Sequence, residues 1–189
     1  MRIIAGAQRG LQLVEVGAGD PAAHLRPTSD RVREAVFNLV LGGRYGDPVT
    51  GAQVLDLFAG TGAIGLEALS RGAARATLVD DGRVALGLIR ANIGRAKRAA
   101  DVTVLAQDAT RLATHPGPPF TLIFLDPPYA KGLGLQALLA AQNGGWIAAG
   151  ALIIWEESSP QPAPPGFVPL DVRRYGDTVV TVLRAGPKP

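Results

Sequence analysis

A short apolar strand, a glycine turn and the start of a helix follow one another without a break from Gln53 to Leu69, QVLDLFAGTGAIGLEAL. Val54 to Phe58 is apolar except for Asp56, the pattern of a buried parallel strand. Gly60, Gly62 and Gly65 fit the spacing G-x-G-x-x-G, and Leu66, Ala68 and Leu69 then recur at helical spacing. Such a turn lets backbone N–H groups face a ligand at a helix N-terminus. Asp80 lies twenty residues beyond Gly60, where an acid that binds a ribose is expected. A nucleotide-like cofactor is the first expectation, and the loop alone does not choose among cofactors.

From there the pattern alternates. Strands are expected at 53–58, 76–79, 102–106, 120–125 and 151–155, with helices at 62–71, about 83–98 and 134–143 and a short helical piece after Asp108. Pro160–Pro165 forces a loop. Segments 168–173 and 178–184 flank a Gly-Asp turn and read as an antiparallel hairpin. The expected fold class is therefore α/β, a doubly wound Rossmann-like sheet with an antiparallel end.

The first 25 residues read as a small β-hairpin extension, with strands at 2–4 and 11–16, and residues 26–189 as the main domain. A hairpin that small must lean on its neighbour. Between the two, Pro27 ends an extended segment and Thr28 or Ser29 caps a helix. Val32, Val36, Leu39 and Val40 are its expected apolar face, with Arg31, Arg33 and Glu34 elsewhere.

Composition removes several classes. The chain has no cysteine and two histidines, so thiolate metal sites, disulfides and cysteine nucleophiles are excluded and no metal is expected. It has no run of eighteen apolar residues and no apolar leader at its start, so a cytoplasmic protein is expected. Sixteen of nineteen basic residues are arginines at a net charge of +3. That suits bidentate phosphate contact, and equally an ordinary solvated surface.

Acids mark the strand ends, where ligands collect in an open α/β sheet. Asp56 and Phe58 end the first strand, Asp80 the second, Asp108 follows the third and Asp126-Pro127-Pro128-Tyr129 the fourth. One such acid alone is explained as a helix cap; four strand ends together point to a site. Two prolines hold a rigid extended path, so the Asp126 carboxylate and Pro127 carbonyl offer paired acceptors for the two hydrogens of an exocyclic amine. Tyr129 supplies a face on which an extruded base can stack.

The order FAGTG, acid, Asp108, DPPY resembles the class I S-adenosylmethionine-dependent amino-methyltransferases. RIIAG, LRPTSDRVREAVFN, LDLFAGTGAIGLEALSRGA, LDPPY and YGDT together resemble, more narrowly and over nearly the whole chain, the bacterial small-subunit ribosomal RNA guanine-N2 methyltransferase family. The resemblance implies S-adenosylmethionine as cofactor, with Asp56, Phe58, Gly60 and Gly62 at its methionine end, Asp80 at the ribose and Asp108 at the adenine amine. It implies Asp126, Pro127 and Tyr129 as the catalytic group. Thr28 and Asn38 fall near cofactor or target, and Arg9, Arg31 and Arg33 are candidates for RNA phosphates. The implied partner is 16S ribosomal RNA within an assembled 30S subunit, acted on by a monomer. The family often carries a second Asp two residues after the first acid; here the run is Asp80-Asp81-Gly82, which leaves the ribose partner open between Asp80 and Asp81. The alternatives are a DNA adenine-N6 or cytosine-N4 amino-methyltransferase, which needs a larger recognition segment than this chain has room for, and a non-catalytic RNA-binding relative.

Overall fold

A computed structural model describes residues 1–15, 29–129 and 131–187. Helix α1 (Asp30–Leu41) precedes β1 (Gln53–Leu57), α2 (Ala63–Ser70), β2 (Arg75–Asp80), α3 (Arg83–Ala96) and β3 (Val102–Ala106). A 3-10 turn (Ala109–Arg111) leads to β4 (Phe120–Leu125), α4 (Leu133–Asn143), β5 (Ile147–Glu157), β6 (Phe167–Tyr175) and β7 (Thr178–Ala185). The strands form one sheet in the order β3-β2-β1-β4-β5-β7-β6. Neighbours from β3 to β5 pair in parallel, while β7 pairs antiparallel with both β5 and β6. This is the Rossmann-like α/β arrangement with an antiparallel end that the alternating pattern predicts. Strand β5 is longer than the expected 151–155, and its pairing with β4 shifts register between Phe120 and Leu122.

Strand alternation splits the core in two. Val54, Leu122, Phe124, Leu152, Ile154, Val180 and Val182 share one face with Val36, Phe37 and Val40 of α1 and with α2 and α3. Leu55, Leu57, Ile123, Leu125, Ile153 and Trp155 share the other with Ala137, Leu138 and Ala141 of α4. Every residue of α2 is buried. A Cβ on Gly65 would stand 2.3 Å from the Leu78 side chain, so glycine at that position lets α2 lie directly on the sheet.

The N-terminal segment makes one antiparallel bridge, Arg2 to Gln12, rather than the two strands expected, and Val16 to Thr28 lie outside the described residues. Its order comes from contacts with the helices instead. The amides of Ile4 and Ala5 donate to the Glu67 carboxylate at 2.7 and 3.0 Å, and Gln8 N–H donates to Ser70 Oγ at 2.9 Å. Gly6, at φ +81°, passes so close to Ser70 that an added Cβ would sit 1.9 Å from its carbonyl oxygen. Asn92, fully buried on α3, donates to the carbonyls of Val14 (3.1 Å) and Thr61 (2.9 Å) and accepts from Val14 N–H (2.6 Å). Ile3 and Leu13 belong to the same core cluster as α1 and α2.

Ser29 caps α1, accepting from Val32 N–H at 3.2 Å. The expected place of Arg33 needs correcting: it is 0 % exposed. Positions 33, 36, 37 and 40 follow the i, i+3, i+4, i+7 stripe, and all four are buried. Arg33 therefore faces inward although it is charged. Its Nη2 donates to the Arg2 carbonyl and to Asp30 Oδ1, and its Nε lies 3.7 Å from Glu67, which also accepts from Arg71 Nε at 2.7 Å. The Arg71 guanidinium lies over the Phe37 ring, 4.7 Å from its centroid. Arg33 holds the N-terminal segment to the core and is not placed to meet an RNA phosphate, whereas Arg31 is exposed. Removing one member of a buried ion network costs about 3–5 kcal/mol, so Arg33→Met should lower stability by roughly that much. Arg31→Met should stay within about 0.5 kcal/mol of the parent; urea denaturation of both variants checks the contrast.

Candidate active site

The chain leaves β1 through Phe58, a non-glycine residue at φ +64°, and Gly60 and Gly62 follow at +57° and +76°. A non-glycine residue there is uncommon and marks a turn held by its surroundings. Two acids do the holding. Asp80 accepts from Gly60 N–H at 2.8 Å through one oxygen and from Gly82 N–H at 2.9 Å through the other, tying the glycine loop to the start of α3. Asp56 accepts from Gly65 N–H at 3.0 Å, while Gly62 N–H turns back to the Ala59 carbonyl at 2.7 Å. The amides of all three motif glycines are thus committed within the protein. Two carboxyl groups stand where a pyrophosphate would need positive potential, so the loop favours a cationic group over an anionic one.

Asp80 uses one lone pair on each oxygen and keeps others for hydroxyl donors. It is half-buried, and burial raises its pKa against the opposing pull of backbone amides, those of Gly82 and Gly60 foremost. Asp81 is exposed. Asp108 caps the 3-10 turn, accepting from Thr110 N–H and Oγ1 at 2.8 and 2.7 Å. Those Thr110 bonds hold its carboxyl below the usual carboxylate range.

Beyond β4, Asp126 N–H reaches the Leu57 carbonyl at 3.4 Å, bringing the tetrapeptide beside the glycine loop. Pro127 is buried and Pro128 exposed. The Tyr129 hydroxyl meets Thr178 Oγ1 at 3.1 Å, and burial pushes its pKa up to about 12, so the phenol stays neutral. Register places a further acid here. Leu55, Asp56 and Leu57 of β1 lie opposite Ile123, Phe124 and Leu125, and Leu125 lies opposite Trp155. Asp126 and Glu156 are each the next residue, and by alternation both share the face of Asp56 and Phe124. Glu156 is 1 % exposed, and neither of its carboxyl oxygens has a hydrogen-bond partner. Burial, then Asp126 and Asp56, raise its pKa well above the ordinary range, and Arg33 opposes them. The apolar run that marks β5 in the sequence ends at Trp155, which leaves Glu156 just outside the expected strand. The available signal was an acid pair at the end of a strand adjacent to DPPY.

The structure thus gathers Asp56, Phe58, Gly60, Gly62, Asp80, Asp126, Pro127 and Tyr129 around the carboxyl ends of β1, β2 and β4, with Asp108 just past β3. Thr28 lies outside the described residues. Asn38 is exposed on α1. Arg9 sits elsewhere, because its neighbour Gln8 bonds Ser70 and the Ala96 carbonyl at the C-terminal ends of α2 and α3, opposite the glycine loop. Among the described residues no group of three or more His, Cys, Asp or Glu is arranged to hold a metal, and no helix is long and apolar enough to cross a membrane.

Residues 1–184 match the family model described as conserved hypothetical protein 95. The chain is 40 % identical over 157 residues to ribosomal RNA small subunit methyltransferase D of Escherichia coli (strain K12), covering 82 % of this chain and 74 % of that protein. It is 39 % identical over 143 residues to a protein of Bacillus subtilis (strain 168) named putative rRNA methyltransferase YlbH, covering 74 % and 72 %. In three dimensions it resembles the putative methyltransferase yhhF from Escherichia coli, with a TM-score of 0.80, 33 % identity and 99 % and 98 % of the two chains covered.

Burial drives the Asp56 carboxyl up to about 8, against the Gly65 amide bond and with smaller contributions from Asp126 and Asp80. A folded-state pKa above that of the unfolded chain means that the native state holds a proton the unfolded state has released. Stability therefore falls as pH rises from about 4 towards 8. Asp56→Asn removes that dependence. Relative to the variant, the cofactor-free parent should lose up to about 1.4 kcal/mol per pH unit across this window. Urea melts at pH 5, 6 and 7 check it, and a pH-independent difference contradicts the assignment.

Proposed function

The chain belongs to the conserved hypothetical protein 95 family, and from that premise we propose that it transfers a methyl group from S-adenosylmethionine to the N2 amine of a guanine in 16S ribosomal RNA. The observation that carries this reading is the adjacency of an acid-held glycine loop and the Asp126-Pro127 turn at neighbouring strand ends. The names of the relatives support the reaction class and the RNA. The guanine amine and the assembled subunit come from the residues and their resemblance.

The pocket suits this cofactor. A sulfonium cofactor with a methionine ammonium is cationic, and Asp56 offers a buried carboxyl beside Gly65 that gains a counter-ion when the ammonium arrives. Asp80 has spare lone pairs for two ribose hydroxyls while it keeps its bonds to Gly60 and Gly82. This favours Asp80 over Asp81 as the ribose partner. Asp108 has one oxygen outside its bonds to Thr110, facing the exposed Arg111 at 3.7 Å, and an adenine amine can share it. When bound, the cofactor supplies an electrophilic methyl on sulfur.

The work of the chain is to place the nucleophile. Asp126 and the Pro127 carbonyl accept the two hydrogens of the amine and aim its lone pair, and Tyr129, neutral and tied to Thr178, packs on the base. With the amine held in this way, Asp126 and the Pro127 carbonyl would present its lone pair to the methyl that the bound cofactor would supply. Positive charge develops on nitrogen beside the Asp126 carboxylate, which stabilises it, and positioning supplies much of the rate. The proton then leaves to Asp126 or to water. The small recognition surface favours a substrate whose shape is already built, an assembled 30S particle.

Asp126→Ala should bind S-adenosylmethionine with unchanged affinity by calorimetry while methylation falls by about a hundredfold or more. Unchanged turnover would contradict the role given to Asp126. On substrate, 30S particles lacking the modification should be methylated well ahead of naked 16S ribosomal RNA; equal rates on both would count against the assembled subunit.

A further inference from the structure

We propose that Glu156 reads the target base, pairing with the N1–H and O6 edge of the guanine whose N2 amine is held by Asp126 and Pro127. The proposal rests on the guanine-N2 reading above and deepens it. Glu156 is 1 % exposed with both carboxyl oxygens unpartnered, an arrangement that proteins avoid unless something else completes it. It follows Trp155 within β5 as Asp126 follows Leu125 at the end of β4, on neighbouring strands and, by alternation, on the same face of the sheet. The charged groups facing it are Asp126 just past β4, Asp56 from β1 and Arg33 from α1. None of the three hydrogen-bonds to it: Arg33 spends Nη2 on the Arg2 carbonyl and Asp30, and its Nε and Nη1, themselves without hydrogen-bond partners, make no hydrogen bond to Glu156.

The chemistry of the bases selects guanine. Three standard bases carry an exocyclic amine, and next to it adenine and cytosine present a bare ring nitrogen, an acceptor. Only guanine has an N–H there, followed by the O6 acceptor. A carboxyl group standing beside an amine-binding pair can accept from N1–H. In its protonated form, which burial beside two other acids favours, it can also donate its O–H to O6. Adenine would gain at most one of these bonds, and an ionised Glu156 would repel its N1. Because Glu156 is buried on the strand beside Asp126, the base meets it only when extruded and inserted edge-first, as base-modifying enzymes require.

2-Aminopurine separates this role from a structural one, since it keeps the amine at C2 and lacks both N1–H and O6. Particles would be reconstituted from 16S ribosomal RNA carrying guanosine or 2-aminopurine at the modified position, and kcat/KM measured on each. The parent protein should prefer guanosine by about tenfold or more. Glu156→Gln, whose amide keeps one acceptor and one donor, should retain most of that preference, and Glu156→Leu should bring it close to one. Calorimetric binding of S-adenosylmethionine to both variants checks that they are folded. A Leu variant that keeps the parental preference, or loses activity equally on both particles, overturns the proposal, as does a parent with no preference. If the parent forms no N2-methylguanine on the guanosine particle, the guanine reading itself has failed.

Discussion

The hydrogen bond from Gly65 N–H to the buried Asp56 carboxyl sits where everything else in this molecule meets. It joins β1 to α2, beneath the turn that the proposed cofactor must cross. Gly65 can make it only because it has no side chain, since a Cβ would strike Leu78 on the next strand. Asp80 repeats the device one strand over, linking Gly60 to Gly82. The loop is therefore built on carboxyl groups, and this separates it from a phosphate-binding loop of the same spacing. A buried acid without a cation is a poor neighbour for a folded core. Its persistence in β1 is best understood as preparation for a positively charged ligand.

A second set of buried charges does mechanical work. Glu67 collects the amides of Ile4 and Ala5 and the side chains of Arg33 and Arg71, so the N-terminal segment is latched to α2 and α1 at one point. Asn92 makes the matching latch on α3 and reaches the Thr61 carbonyl in the glycine loop. The segment thus borders the same helices that position the loop.

The strand-turn-helix start, the alternation that follows and the terminal antiparallel hairpin were all legible, because periodicity and glycine punctuation report backbone geometry directly. Strand alternation also carried most of the site, since Asp56, Asp80 and Asp126 stand at successive strand ends. What escaped was side-chain partnership. Arg33 reads as a surface cation by residue type, although the spacing 33, 36, 37, 40 already put it in the buried stripe. Glu67 and Asn92 look like ordinary helix residues until the N-terminal segment folds onto them. Arg9 could be paired with the site only while the segment bearing it had no place, and Gln8 puts it at the opposite end of the helices. Glu156 needed the register between β4 and β5, which depends on a strand longer than its apolar run.

The central claim is that neighbouring strand ends of one sheet hold a methyl donor and a guanine amine together. The most direct measurement is mass-spectrometric mapping of 16S ribosomal RNA after 30S particles lacking this modification are incubated with the protein and S-adenosylmethionine. The account predicts a single added methyl on one guanine, on the N2 amine. A methyl on another base, on a ring nitrogen or carbon of guanine, or on no nucleotide at all would contradict it.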